Sequence, residues 1–218
     1  MIQEVNEKDI SECVKVIKES FATVANEFGF TVENAPKFTA FATTEERLKW
    51  HLFGEHRPMY AFWDNGKIVG YYSLLLQNNN ECELNNLCVL PTYRHRKIGQ
   101  ELLFHSFNTA KQLDCVKVNI GIVEENKKLR NWYESFGFIH TGTIKYDFSL
   151  LPVDIWRRNY NIFQFIVVIY SQHANKCCEF FMPKASSSAY HIQTQQRLNL
   201  SVCKPSYTVM LSGNDLSC

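Results

Sequence analysis

This 218-residue chain lacks several features, and each absence removes a class of function. It carries almost no net charge, a formal +1 at pH 7. No general attraction to nucleic acid or to acidic lipid is therefore expected, and any anion site must come from local charge. It has no apolar run long enough for a membrane span: Ile162 to Tyr170, IFQFIVVIY, falls far short of the roughly 20 residues needed. No secretory signal opens the sequence, and the eight cysteines are scattered. Cys177, Cys178 and Cys203 have no metal-ligand spacing. Neither a disulfide framework nor a metal site is expected, and a reducing cytoplasm is the expected compartment. There are no internal repeats.

What is present is 45% hydrophobic residues, enough to bury the core of one ordinary domain with some chain to spare. The organising stretch is Leu84 to Phe104, LNNLCVLPTYRHRKIGQELLF. An apolar strand ends before Pro91, which cannot donate to a ladder. A basic loop follows, Arg94, His95, Arg96 and Lys97, and then Ile98, Leu102 and Leu103 recur at helical spacing. Ile98, Gly99 and Gln100 would open that helix. Its first N–H groups have no intrahelical acceptor, so a strand, a basic turn and a helix start together predict a phosphate site. Gly99 keeps side-chain bulk away from whatever approaches.

The flanking elements read in order. Ile2 to Val5 alternates as a strand, and Asp9 precedes an amphipathic helix through Ile10, Val14, Ile17, Phe21 and Val24. Phe28 to Phe41 mixes aromatics with Gly29, Asn34 and Pro36 as a loop or short helix, and Thr44 opens another short helix ended by Gly54. Met59 to Trp63 and Ile68 to Leu76 are strands joined by Asp64-Asn65-Gly66-Lys67, a hairpin signal. Val116 to Val123 is a continuous β run, Asn126 starts a helix that Gly137 ends, and Phe138 to Phe148 is a further strand.

The stretch VLPTYRHRKIGQELL resembles the acetyl-CoA-binding motif of the GCN5-related N-acetyltransferases, Arg or Gln followed by x-x-Gly-x-Gly or Ala. Arg94 and Gly99 match, while Lys97 stands where the first glycine is usual. NWYESFGF, Asn131 to Phe138, resembles the family's later helix-to-strand motif. The resemblance covers residues 1–152 and implies an α/β (α+β) fold: a mixed, mostly antiparallel central sheet flanked by helices.

It also implies acetyl-CoA as acetyl donor and direct transfer to the primary amine of a small molecule or peptide. No nucleic-acid or membrane partner is implied, and a homodimer is an assembly open to such a domain. The loop Phe28 to Phe41 would border the acceptor pocket. Tyr133 would protonate the departing thiolate, and a buried aromatic filling the helix–sheet interface is the other reading of that position. Glu83 would take the amine proton, or else be an exposed strand-end charge. The position near which relatives carry the acid is Asn85 here, which cannot act as a base.

Leu87, Cys88 and Val89 would pair their backbone with the pantetheine arm. Cys88 itself reads as a small buried hydrophobe. Asn126 and Asn131 would hold the arm and the acceptor by amide hydrogen bonds, with an N-cap as the other role for Asn126. His51, His56, His105 and His140 read as surface or core residues. Lys97 in place of glycine and Asn85 in place of an acid point towards a rival, a non-catalytic acyl-CoA-binding or sensing domain.

Residues 153–218 are expected to be an atypical tail. The family's last strand is not visible after Pro152. The codons of Asp154 to Tyr160, shifted by one base, permit Gly, Tyr, Met, Glu, Lys, Lys, Leu, the kind of ending that is missing. An out-of-frame or unstructured tail is one reading, and a genuine partner-binding extension is the other.

Overall fold

The computed structural model of the chain describes residues 1–146 and 151–159. Strand β1 (Ile2–Glu4) leads through a single 3-10 turn into helix α1 (Ile10–Phe28). Ile10, Cys13, Val16 and Ile17 are buried at three- and four-residue spacing, and the helix stops at Gly29 in the left-handed region. Two short helices follow, α2 (Thr39–Ala42) and α3 (Glu45–Lys49). The Thr44 hydroxyl caps α3 by accepting from the Arg47 N–H at 3.1 Å, and α3 runs on into one π-helical turn, Trp50–Gly54.

Strands β2 (Met59–Asp64) and β3 (Lys67–Gln77) form the expected hairpin, with Asn65 and Gly66 both at positive φ as a tight primed turn requires. After them come β4 (Glu81–Val89), α4 (Ile98–Gln112), β5 (Lys117–Val123), α5 (Lys127–Ser135), β6 (Ile139–Ile144) and β7 (Val153–Asn159).

The seven strands lie in the order β1-β2-β3-β4-β5-β7-β6, antiparallel throughout except for the parallel pair β4 and β5. One face buries Leu102, Leu103 and Phe107 of α4 together with Tyr133 of α5, and the other buries α1 and Leu48 of α3. The approach of α4 to β3 depends on Gly70. A Cβ there would lie 2.8 Å from Leu102 Cδ1 and 3.1 Å from the Cys88 carbonyl oxygen.

The expected domain end at residue 152 is corrected by β7. The in-frame residues Val153–Asn159 form a strand between β5 and β6, paired with both. Its side chains find specific partners. Buried Asp154 accepts from Arg130 Nη2 at 2.6 Å and Thr143 Oγ1 at 2.6 Å and faces His140 Nε2 at 3.2 Å, while Arg157 Nε donates to Asn119 Oδ1 at 3.0 Å. Two hydrogen-bonded groups and a cation hold the Asp154 carboxyl below its ordinary range despite its burial. The closing strand is present without any shift of reading frame, and the domain reaches Asn159 at least. The remainder of the expected tail, from residue 160, lies outside the described residues.

Candidate active site

Strand β4 carries the site, because it parts from its neighbour. It pairs with β5 only through Glu81, Cys82 and Glu83. Beyond Glu83 the two strands diverge, and the edge of β4 over Leu84–Val89 has no β5 partner. A bulge adds a second change. On the β3 side, Asn86 and Leu87 stand opposite the single residue Tyr72, with Asn86 at φ 55°. The extra residue flips the alternation: Cys82 and Leu84 pack towards α4, whereas Cys88 packs towards α1 and Leu87 and Val89 take the α4 side. Leu87, Cys88 and Val89 thus line the open edge, as the strand-addition reading requires. Cys88 is buried, and its thiol is pushed up to about 12 by burial, which leaves it a protonated small hydrophobe.

At the far end of β4, Pro91–Tyr93 form one 3-10 turn and the basic loop begins. His95 and Lys97 both adopt left-handed backbone, φ 64° and 65°. Lys97 therefore takes a conformation natural to glycine, with the steric cost of a side chain. It precedes α4 without a side-chain cap, so the N–H groups of Ile98, Gly99 and Gln100 open the helix without intrahelical acceptors. His95, Arg96 and Lys97 are exposed, and the Arg96 guanidinium lies 5.0 Å from the Tyr93 ring centroid. Packing does not itself demand glycine at Gly99, since a Cβ would make only ordinary contacts with Val89 and Trp132.

Arg94 departs from the expectation of a phosphate-facing side chain. Its Nε donates to the Val89 carbonyl at 3.2 Å, and Nη2 donates to the Ser20 carbonyl and to Thr23 Oγ1, both at 3.0 Å. The guanidinium clamps the end of β4 to α1. The α1 acceptors lie 71 to 74 residues upstream, a distance at which sequence pattern carries no signal.

Helix α5 carries Tyr133, buried in the same core cluster as Leu84 of β4, with Leu87 and Val89 packed against it. Its ring packs edge-on against Trp132 at 4.8 Å and Phe138 at 5.2 Å between centroids. Burial first, and the neighbouring Cys88 thiol second, raise the phenol well above its ordinary range, so it holds its proton at neutral pH. Asn126 Oδ1 accepts from the Leu129 N–H at 3.0 Å, the N-cap role, which leaves its amide hydrogens and one oxygen lone pair for a ligand. Asn131 is exposed on α5.

Glu83 sits where β4 and β5 part, on the face opposite Cys82 and Leu84. It is partly buried, accepts from Gln77 Nε2 at 3.2 Å, and its carboxyl is raised by desolvation that Arg57 only partly offsets. That corrects the reading of an exposed strand-end charge. A raised carboxylate where two strands part is suited to accept a proton.

Sequence reasoning missed two residues beside it. Tyr146 has its phenol raised by burial and then by Glu83, and buried Arg57 is ion-paired to Glu55 at 2.5 Å. Only the position of Arg57 directly before Pro58 and a strand marked it, a weak signal. His51 is likewise buried, its ring held neutral, down to about 4, by desolvation first and by Arg57 next. Among the described residues no group of three or more His, Cys, Asp or Glu is placed to hold a metal ion, and no helix is long and apolar enough to cross a membrane.

The profile of the Acetyltransferase (GNAT) family matches residues 26–138, a span that includes the β4 opening, the basic loop and Tyr133. An uncharacterized N-acetyltransferase of Mycobacterium tuberculosis is 25% identical over 111 residues, 51% of this chain and 71% of that protein. One from the pepI 3' region of Lactobacillus delbrueckii subsp. lactis is 24% identical over 147 residues, 62% of this chain and 82% of its own length. Among solved structures, the PaiA N-acetyltransferase of Thermoplasma acidophilum in complex with coenzyme A superposes with a TM-score of 0.62 at 19% identity, over 73% of this chain and 98% of that one. The ribosomal-protein-alanine N-acetyltransferase of Brucella melitensis gives 0.58 at 19% identity, over 73% and 99%.

Proposed function

Because the chain belongs to the GNAT acetyltransferase family and is an acetyl-CoA-dependent N-acetyltransferase, we propose that it acetylates the primary amine of a small molecule by direct transfer, with Glu83 as base and Tyr133 as acid. The observation that carries this reading is the parting of β4 from β5 at Glu83. It leaves a strand edge to pair with the amides of the pantetheine arm and ends at a helix start open to the pyrophosphate. The residues present fit acetyl-CoA on those two grounds. When bound, it supplies the acetyl thioester.

The side chains then divide the proton work. The Glu83 carboxylate takes a proton from the amine as its nitrogen attacks the acetyl carbonyl carbon. A C–N bond forms, the C–S bond breaks, and Tyr133 gives its proton to the departing sulfur. Glu83 is left protonated and Tyr133 ionised, and proton exchange with solvent returns both to their starting forms; no covalent enzyme intermediate is needed, and the buried, protonated Cys88 is poorly suited to form one. The exposed side chains of Arg96 and Lys97 and the N–H groups of Ile98, Gly99 and Gln100 hold the pyrophosphate, while Arg94 shapes the loop from behind.

Neither Lys97 nor Asn85 requires a non-catalytic domain. Lys97 takes the left-handed backbone for which glycine is usual, so the loop keeps its course, and Glu83 supplies the acid that Asn85 lacks. The test is release of thiol from acetyl-CoA across a panel of amines. Binding of acetyl-CoA without release for any amine would overturn the catalytic reading.

A further inference from the structure

On the α1 face of the sheet, a narrow cavity of about 40 Å³ is lined by residues of the segment from Lys37 to His51 and of β4, among them Lys37, Thr43, Arg47, His51 and Asn86. Its charge is unusual. Arg47 is half-buried, and its side chain's one hydrogen bond among the described residues is a long one, Nη1 to the Ala42 carbonyl at 3.4 Å. The charged groups acting on it are Arg57, a second cation, and Glu55, which Arg57 already engages at 2.5 Å. Burying a guanidinium beside another cation without a carboxylate of its own is unfavourable unless an anion arrives.

A second observation points the same way. The His51 side chain is only 6% exposed, its Nδ1 has no hydrogen-bond partner among the described residues, and Nε2 is 3.9 Å from the Glu55 carboxylate. A neutral imidazole with one unengaged nitrogen can donate to an oxyanion. The cavity is of the size that holds a carboxylate or a water, not a whole acceptor (one water occupies about 30 Å³ of liquid).

We infer that this cavity is the subsite for an oxyanion on the acceptor, and that the substrate class is a compact amine carrying a carboxylate, bound by Arg47 and His51 with its amino group at Glu83. The inference rests on the proposed acetyl transfer at Glu83. Asn86 lines the cavity three residues along β4 from Glu83, about 10 Å of strand. The amine and the anion of one short molecule can therefore span the two positions. A second ammonium in place of the anion would meet Arg47, with Arg57 acting on the same group, so diamines should be poor acceptors.

The experiment compares ω-amino acids of two to six carbons with alkylamines of equal length, 2-aminoethyl phosphate and 1,5-diaminopentane, all at saturating acetyl-CoA. The wild type should favour the best carboxylated amine over its alkylamine by at least about tenfold in kcat/KM, as expected for a charge-assisted contact. That ratio should collapse in Arg47→Gln and survive in large part in Arg47→Lys. Preference for the phosphate with the same dependence on Arg47 supports the subsite and identifies its anion as phosphate. Equal use of alkylamines by the wild type, or a ratio unmoved by Arg47→Gln, overturns it.

Calorimetry with the N-acetylated ω-amino acids and coenzyme A separates the two readings. If no amine turns over yet these carboxylates bind and lose at least about tenfold affinity in Arg47→Gln, the catalytic reading falls and the subsite stands. If alkylamines turn over and no carboxylate binds, the reverse holds.

Discussion

Glu83 of β4 pairs with Asn119 of β5, and it is the last residue of β4 to do so. The carboxylate expected to accept the proton thus stands where the sheet opens. One side of it is still walled by strand and the other faces the gap. The same position desolvates the carboxyl and raises it. Replacing Glu83 by Gln should lower kcat by about 10²- to 10⁴-fold, the range for a positioned base, while acetyl-CoA affinity stays within a fewfold. The raised carboxyl also sets the pH dependence. Activity needs the ionised form, so kcat should fall on acidification, starting at higher pH than for an ordinary glutamate, and the variant should lose that limb. For stability the sign is opposite. A carboxyl raised by folding favours the folded state in full below its unfolded pKa and has lost that benefit once pH has risen through its folded one, so Glu83→Gln should not destabilise the protein at neutral pH. A pH–rate profile beside a melting curve checks both.

Tyr133 is separable from the base by the same logic. Its ring fills space between Trp132 and Phe138, which phenylalanine would also fill. Tyr133→Phe should therefore keep the fold and acetyl-CoA binding and lower turnover, most clearly in single-turnover measurements of thiol release. Wild-type rates in that variant would return the tyrosine to the core.

The basic loop divides into a clamp and a ligand surface. Arg94→Ala should destabilise the fold by about 1.5–3 kcal/mol through loss of its charge-assisted hydrogen bonds to α1 and β4, with lower coenzyme A affinity following only from the disturbed loop. Arg96→Ala should weaken coenzyme A binding and leave unfolding by denaturant nearly unchanged. Lys97→Gly should stabilise by about 0.5–1 kcal/mol, because the left-handed dihedral costs less without a side chain. Titration calorimetry and denaturant melts on the three variants distinguish these outcomes. Equal behaviour of Arg94→Ala and Arg96→Ala would refute the division.

Much of the fold is legible in the sequence where the signal is local. Gly29 and Gly137 end helices, Asn65-Gly66 turns a hairpin, and apolar spacing places α1 and α4, because each depends on neighbours within a few residues. The donor side of the site is legible for the same reason: strand, loop and helix follow one another in a single stretch. The acceptor side is not. Arg47, His51 and Arg57 reach Glu83's face from elements distant in sequence, and a charge in a loop reads as solvated until the fold surrounds it. The role of Arg94 is hidden because two of its acceptors belong to α1. Strand β7 escapes notice because Asp154, Arg157 and Arg158 break the apolar pattern of Val153–Asn159. Their partners, Arg130, Thr143 and Asn119 among them, exist only once the sheet is assembled.

That strand yields the last prediction. β7 is the only link between β5 and β6 in the described sheet, hydrogen-bonding along both. A chain ended after Pro152 would bare the long edge of β5, unpair β6, and leave Arg130 without the Asp154 carboxylate. Exposed ladders of this length pair with other chains, so that truncation should be aggregated and inactive. A chain ended after Gln164, five residues beyond the end of β7, keeps all seven strands and should remain monodisperse with a cooperative melt. Asp154→Ala in the full chain tests the side-chain part of the argument, since it removes the acceptor shared by Arg130 and Thr143 at a site only 1% exposed. A loss of about 1.5–3 kcal/mol is expected, because Arg130, one third exposed, stays partly solvated when its carboxylate is removed. If the chain ended after Pro152 folds and acetylates as well as the one ended after Gln164, β7 is dispensable and the domain does end at residue 152.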